Sequence, residues 1–548
     1  MTIKSPPTTT RAAPGGLHAP GLAPRSEPPA DTARLARAAG VISLGNIASR
    51  VLGLARETVK ADFFGAGGAV DAFNVAAVVP TMLYDLLVGG MVSSALVPVF
   101  SEYDAQERRE ALWGLVNVLL SLSVVVLAVA ILLLEVFAPQ VAFLLSSGSS
   151  PEVLDLTARL LRITGPALLF LSLSGLLSGL LYALKRFTYP AMTAAAFNAA
   201  IVAATLLVGR RIGIAAMALG LLLGATLQVA LQLPGLRDAR LRFRLDWRHP
   251  GLRRIGVLYA PIVLGLMLDV LLSRPISYNL ASRTGEGGIS WMNYATTLIQ
   301  FPHGLVATAV SIAILPTLSA HAALENGGDA GPFRATLAQG LRLVIVLILP
   351  ASVGLLVLTQ PTIALLFEHG DFGIVDTGMT AWALRLYLIG LPFAAVDLLL
   401  VFAFYARQDT LTPALIGAYS IAVYLAVAIL LLPHLGLFSL MVADSIKHML
   451  HTAASAYVLR RRLGRFGEHG VGRTLGLTAL ASAATGGLAY GVLLLVQRAL
   501  PGGGALAEVS AVVGPGLAGA LLYVALVSAV RIEEVQLLWG VVRRRLAG

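Results

Sequence analysis

The chain has 548 residues, 57% of them hydrophobic and 13% charged, with a mean hydropathy of +0.81. A soluble domain carries about 25% charged residues, so a water-soluble globule is excluded. The net charge of +11 would suit nucleic acid, but in a chain this apolar, basic loops held against anionic lipid account for it; the absence of cysteine excludes disulfides, thiolate metal sites and cysteine catalysis.

Residues 1–32, rich in Pro, Ala, Gly and Thr and lacking a signal-peptide core, are expected to form a disordered cytoplasmic tail. Apolar stretches long enough to cross a hydrocarbon core of roughly 30 Å then recur along the chain. Fourteen helices are predicted near 34–62, 69–102, 111–138, 153–184, 188–208, 211–234, 252–281, 289–320, 333–367, 375–406, 411–432, 436–461, 473–497 and 505–530. The runs are continuous, without the alternation of a barrel. The last piece, within 531–548, reads as an amphipathic cytoplasmic tail lying on the surface.

Lysine and arginine set the orientation. With a cytoplasmic N-terminus, Arg108, Arg109, Lys185, Arg186, the dense run 237–254 and Arg460, Arg461, Arg462 and Arg465 all fall on the cytoplasmic side. The opposite loops are poor in them, Arg210, Arg211, Arg283 and Arg498 excepted. Both termini of this multi-pass membrane protein are therefore expected in the cytoplasm.

The sequence repeats. "SSALVPVFS" (93–101) matches "SIAILPTLS" (311–319) at a shift of 218, and "YALKRFTYPA" (182–191) matches "YARQDTLTPA" (405–414) at a shift of 223. A duplicated six-helix unit with parallel copies follows, and substrate sites in such folds lie between the halves near the midplane. The expected fold is an all-α polytopic membrane protein with two parallel six-helix lobes around a central cavity. Its parts are an N-terminal lobe (33–236), a basic cytoplasmic linker (237–251), a C-terminal lobe (252–462) and two additional helices (473–530).

Charge at bilayer depth costs at least ~2.5 kcal/mol on insertion scales and marks a partner or a wet cavity. Arg50 and Arg56 lie in the first helix, where Glu57 and Lys60 can pair at i,i+3. Asp71 and Asp85 lie in the second, and Asp85 is a candidate to neutralise Arg50 or Arg56. Asp269 and Arg274 are five residues apart in the seventh, so they do not face each other. Arg385 and Asp397 occupy the tenth. Asp444, Lys447, His448 and His451 form one stripe on the twelfth, either a proton or cation relay or simply satisfied pairs. The bland alternative for Arg50 and Arg56 is that they only pair within the protein. No metalloprotease or nucleophile-elbow motif occurs, "GAGG" (65–68) lacks a phosphate-loop lysine, and neither enzymatic activity nor a metal is expected.

"SRVLGLARE" (49–57), "FFGAGGAVDAFNVA" (63–76), "SSALVPVFSEY" (93–103), "LLFEHGDF" (365–372) and "FYARQDTLTP" (404–413) together resemble the MurJ (MviN) lipid II flippases. These belong to the multidrug/oligosaccharidyl-lipid/polysaccharide exporter superfamily. The resemblance covers about 35–530. It implies alternating access around a cationic cavity, undecaprenyl-pyrophosphate-linked disaccharide-pentapeptide as cargo, and a groove for the lipid tail formed by the last two helices. It maps substrate-binding residues onto Arg50, Arg56 and Asp71, with Arg274 or Arg385 as compensating cations. The departures are Tyr84 and Asp85 at a usual basic pair, Gly89 at a usual glutamate, and Thr297 at a usual arginine. Asp269 could supply one carboxylate of a sodium site, but residues 416–429 offer no second acid and no such site is assigned. No cofactor is expected; a coupling ion or the membrane potential is left open. The expected partners are lipid II, or a related polyprenyl-pyrophosphate glycolipid, and membrane lipids, without nucleic acid. The alternatives are a translocase for another polyprenyl-linked glycan or amphiphile, and a non-transporting scaffold for envelope assembly.

Overall fold

The structure, a computed structural model, describes residues 29–102, 109–237, 239, 241–324, 330–464, 470–501, 504–530 and 534. The side chains of 29–39, 93–94, 109, 261–262, 264–265 and 269 are not among those described. The tail expected over 1–32 therefore falls outside the described residues up to residue 28, and from Pro29 the chain is already helical. The surface piece expected near the C-terminus also falls outside, apart from Glu534, whose carboxylate lies 2.5 Å from Arg342 Nε.

Among the described residues the only regular structure is helical. The first lobe holds α1 (Pro29–Phe64), α2 (68–102), α3 (Arg109–Val136), α4 (151–183), α5 (Thr188–Ile212) and α6 (215–236). The second holds α7 (250–282), α8 (288–324), α9 (Gly331–Val357), α10 (Ile374–Ala406), α11 (Leu411–Leu435) and α12 (Phe438–Leu463). A hairpin of α13 (Val471–Ala499) and α14 (Ala505–Ala529) follows and packs on α9. Ten of these helices, or eleven counting the bent α4, are long and apolar enough to cross a bilayer. That number is compatible with fourteen spans.

Two short helices depart from expectation. Ala138–Ser146 occupies a stretch read as a loop, and Thr359–Phe367 separates from α9, which was expected to run on to 367. Each has a proline in its first turns, a position where the missing N–H is harmless. Helix α4 bends by 41° at Gly165–Pro166.

The duplication is visible in the packing. Helices α5 on α6, α4 on α6, α2 on α4 and α3 on α4 recur as α11 on α12, α10 on α12, α8 on α10 and α9 on α10. Helix α7 departs from this scheme: over 250–268 it leans on α2 of the other lobe. The linker is tied to the first lobe, where the backbone N–H groups of Arg242 and Arg244 donate to Asn117 Oδ1 and Ser121 Oγ, each at 2.9 Å.

The repeated turn after α4 and α10 matches in backbone detail. Among the described residues, Lys185 (φ 58°) and Gln408 (φ 60°) are the non-glycine residues with positive φ, and they are 223 positions apart. Both ends form the same motif. The N–H of Lys185 bonds Tyr182 O and that of Arg186 bonds Leu181 O; the N–H of Gln408 bonds Tyr405 O and that of Asp409 bonds Phe404 O. This left-handed stop satisfies the last helical carbonyls. In the second copy, burial raises the Asp409 pKa, but hydrogen bonds from Thr412 and the Arg462 guanidinium outweigh it and hold the carboxyl at about 2.

Side chains strain a left-handed position by roughly 1–2 kcal/mol, and glycine does not. Lys185→Gly and Gln408→Gly are each expected to stabilise the protein by about 1 kcal/mol, whereas Lys185→Val destabilises it, as read by thermal unfolding in detergent.

Candidate functional site between the lobes

At one end of the bundle the first lobe's α2 and the second lobe's α8 begin side by side. The first N–H groups of any helix lack partners within it. Here each lobe supplies the acceptor for the other. Asp71 Oδ2 accepts from Gly287 N at 2.8 Å, and its Oδ1 accepts from Ser290 N at 2.8 Å and Ser290 Oγ at 2.6 Å. In return Glu286 Oε1 accepts from Gly68 N at 2.8 Å. A carboxylate at a helix N-terminus also gains from the helix dipole. The same end carries a second reciprocal contact. The short helix 138–146 packs on α7 and the short helix 359–367 packs on α1. Asn279 Nδ2 donates to Ser147 Oγ at 2.9 Å, and Asp371 N donates to Asp62 O at 3.0 Å. We call this the latched end.

Just beneath it lies a buried polar core. Lys60 is 2% exposed and Glu57 4%. The Lys60 ammonium pairs with Glu57, donates to Asn74 Oδ1 at 3.1 Å and sits 4.6 Å from the centre of the Tyr294 ring. Asn74 Nδ2 donates to Ser290 Oγ at 3.3 Å, tying this core to the caps. Tyr294, fully buried, donates to Gly65 O at 2.9 Å and meets Phe372 edge-on. The i,i+3 pairing of Glu57 with Lys60 is as expected.

Arg56, one turn deeper, donates to Glu57 Oε1 at 2.7 Å and to Asn198 Oδ1 on α5 at 3.1 Å. Arg50 lies about 21 Å from the latched end of α1, near mid-depth. It has no carboxylate within ion-pair distance among the described residues. Its Nη1 donates to Gln300 O at 3.4 Å, and its guanidinium lies so close over Gly304 that a methyl group there would collide with it. Arg274 makes the mirror-image contact: from α7 it reaches Asp85 on α2 at 3.2 Å, both side chains being about 40% exposed.

The two arginines share a local design. Each reaches a π-helical turn in the other lobe, at Asp85–Gly89 for Arg274 and at His303–Thr308 for Arg50. These turns are 218 positions apart. Leu86 O, within the first of these turns, takes Tyr259 Oη at 2.7 Å, and Gln300 O, just before the second, takes Arg50 besides the backbone N–H of His303. A further π turn, Asp269–Ser273, immediately precedes Arg274.

Several expectations change. Asp85 meets Arg274 rather than Arg50 or Arg56, because α7 crosses to α2. Asp71 is 3% exposed and both its oxygens are engaged by α8. Arg385 is remote from these residues, lying in a cleft beside α13 and α14. Asp444 pairs with Lys447 at 2.5 Å and lies 3.7 Å from His448, the satisfied arrangement. The side chain of Asp269 lies outside the described residues. Sequence reasoning missed Glu286, the π turns and the 2.5 Å pair of His451 with Asp397. One signal was present: Ser49-Arg50 and Ser273-Arg274 are the same dipeptide 224 positions apart.

Residues 60–506 match the family model described as lipid II flippase MurJ. The chain belongs to the MurJ lipid II flippase family. It is 35% identical over 390 residues to a lipid II flippase MurJ of Burkholderia cenocepacia, covering 69% of this chain and 75% of that protein. It is 32% identical over 440 residues to a probable lipid II flippase MurJ of Haemophilus influenzae, covering 76% and 84%. In structure it is similar to a lipid II flippase MurJ in an inward closed conformation, with a TM-score of 0.74, 23% identity and coverage of 89% of this chain and 98% of that one. An inward-facing multidrug resistance transporter of the MATE family, in the MOP superfamily, shares the fold at a TM-score of 0.64 and 14% identity.

Removing a carboxylate cap costs about 0.5–2 kcal/mol. The double variant Asp71→Asn, Glu286→Gln is therefore expected to open the latched end roughly tenfold more often. Cysteines placed at Ser147 and Asn279 in this cysteine-free chain report it. A short bifunctional thiol reagent should join them readily in the parent, and a bulky maleimide that reaches them only when that end is open should label them about tenfold faster in the double variant.

Proposed function

We infer that the chain is a lipid II flippase, carrying an undecaprenyl-pyrophosphate-linked saccharide from the cytoplasmic to the outer leaflet of a bacterial inner membrane by alternating access. It is an integral membrane transporter. A diphosphate cannot enter hydrocarbon unaided, and a guanidinium fork matches phosphate oxygens in charge and geometry. The observation that carries the reading is Arg50: a cation near mid-depth, at the interface of two lobes, without a carboxylate to neutralise it among the described residues. Arg274, shared with Asp85 and half-exposed, is the second contact for the headgroup.

The direction of opening follows from the latch and the loops. The end opposite the latch carries Arg186, Arg242, Arg244, Arg407 and Arg460–Arg462 in or beside its connections. Basic loops favour the cytoplasm, so the latched end faces outward and both termini lie in the cytoplasm. With the outer end closed by reciprocal caps, cargo enters from the cytoplasmic leaflet. Transport then requires the caps to part.

A second reading keeps the mechanism and changes the glycan. Asp85 stands where the resemblance places a basic residue, and it holds Arg274, which lowers the positive charge offered to a diphosphate. Complementation of a strain depleted of its own lipid II flippase separates the two. Rescue by the parent establishes lipid II as cargo. Failure at normal membrane levels favours another polyprenyl-linked glycan. Arg50→Ala is expected to abolish rescue without loss of protein from the membrane, and Arg50→Lys to restore it in part. A scaffold would tolerate both changes.

A further inference from the structure

Beside Arg50, the second lobe carries titratable groups that the headgroup reading does not use: His303 on α8, Asp397 on α10, and His448 and His451 on α12. His303 opens the π turn that Arg50 reaches, and the Arg50 guanidinium lies over the next residue, Gly304. His303 stands about 22 Å along α8 from the latched end, level with Arg50. One of its ring nitrogens donates to Ala394 O on α10. The other has no protein partner among the described residues, and the side chain is half-buried.

Ala394 and Asp397 are three positions apart and share a face of α10. That brings the Asp397 carboxylate within electrostatic range of the His303 ring. Asp397 itself meets His451 Nδ1 at 2.5 Å, and Ser455 Oγ lies 3.3 Å from the same nitrogen. His303 is therefore set between a carboxylate that attracts a positive imidazole and a guanidinium that repels it. The other charged groups nearby are engaged among themselves. Asp444 pairs with Lys447 and lies 3.7 Å from His448, the Lys447 ammonium lies 5.5 Å from the centre of the Tyr424 ring, and Tyr424 bonds Ser277. From α9, Arg342 turns to Glu534, and Tyr405 lies two turns beyond Asp397 toward the cytoplasmic end of α10.

The balance at His303 depends on whether Arg50 is occupied. A diphosphate bound to Arg50 cancels the charge that opposes a proton on the ring and adds negative charge beside it. A diphosphate diester carries two negative charges at neutral pH, and Arg274 is already shared with Asp85, so Arg50 alone leaves one of them unmatched. We propose that binding of a diphosphate headgroup at Arg50 is accompanied by uptake of one proton from solvent on His303, with Asp397 as its counter-ion and His451 holding that carboxylate in place. The proton goes to the ring nitrogen that does not bond Ala394, and the imidazolium supplies the second positive charge. The inference rests on the reading of Arg50 as the headgroup contact and adds a proton to what the loaded cavity carries. The linkage is reciprocal: acid strengthens headgroup binding by as much as the headgroup strengthens proton binding.

Isothermal titration calorimetry of the full-length protein in detergent tests this, with a short-chain prenyl diphospho-N-acetylglucosamine as probe; as a diester the probe does not itself titrate near neutral pH. Heats measured in buffers of different ionisation enthalpy give the protons taken up per probe bound. Between about pH 6 and pH 8 the uptake is expected to reach about half a proton, and Kd to fall about fivefold from the upper to the lower pH. His303→Gln should bind more weakly than the parent at the lower pH, with the uptake and the pH dependence both lost. Asp397→Asn should lower the uptake about threefold or more, and it carries the test if His303→Gln fails to run as a single species. Binding with the same heat in every buffer, or uptake that persists unchanged in both variants, would overturn the proposal and leave the headgroup reading in place. No binding of the probe by the parent at either pH would overturn that reading and the proposal with it.

Discussion

Every helix that starts inside or at the edge of a membrane leaves backbone N–H groups that must find an acceptor. In this protein the acceptors for the first turns of α2 and α8 come from the opposite lobe. Asp71 caps α8 and Glu286 caps α2. Neither lobe completes its own helix starts there. The consequence is mechanical: the two lobes hold each other at that end, through contacts that are strong while made and costly to leave half-made. The buried Lys60–Glu57–Asn74 core extends the joint inward by one more layer.

The same reciprocity continues at mid-depth, with an asymmetry that matters. Arg50 and Arg274 occupy equivalent places in the duplicated unit, and each reaches a π turn of the other lobe. In one copy the π turn begins with Asp85, which pairs with its arginine. In the other it begins with His303 and Gly304, which offer Arg50 no carboxylate. The duplication thus built two cationic arms, and divergence neutralised one more than the other. Arg50 bonds a carbonyl, Gln300 O, where Arg274 bonds a carboxylate, Asp85.

The helices, their duplication and the family were legible in the sequence because they rest on long apolar runs and on motifs several residues long. The αL stops at Lys185 and Gln408 were half legible: the repeat located the turn, but neither residue type announces positive φ. Asp71 was noticed as an intramembrane charge, but its capping of α8 was not legible, because its partners lie 216 and 219 positions away and are mostly backbone amides. Glu286 was missed for the same reason. The π turns carry no marker in a single sequence. The meeting of Arg274 with Asp85 depends on α7 crossing to the first lobe, a tertiary choice that hydropathy does not encode.

The central claim is that closure of one end is maintained by backbone amides held in the opposite lobe's carboxylates. Hydrogen–deuterium exchange at the amides of Gly68, Gly287 and Ser290 in the unaltered protein, reconstituted without cargo, measures this directly. Slow exchange at all three, rising on addition of lipid II as the lobes part, is the predicted result. Fast exchange at these amides in the resting protein, equal to that of an exposed loop, would contradict it.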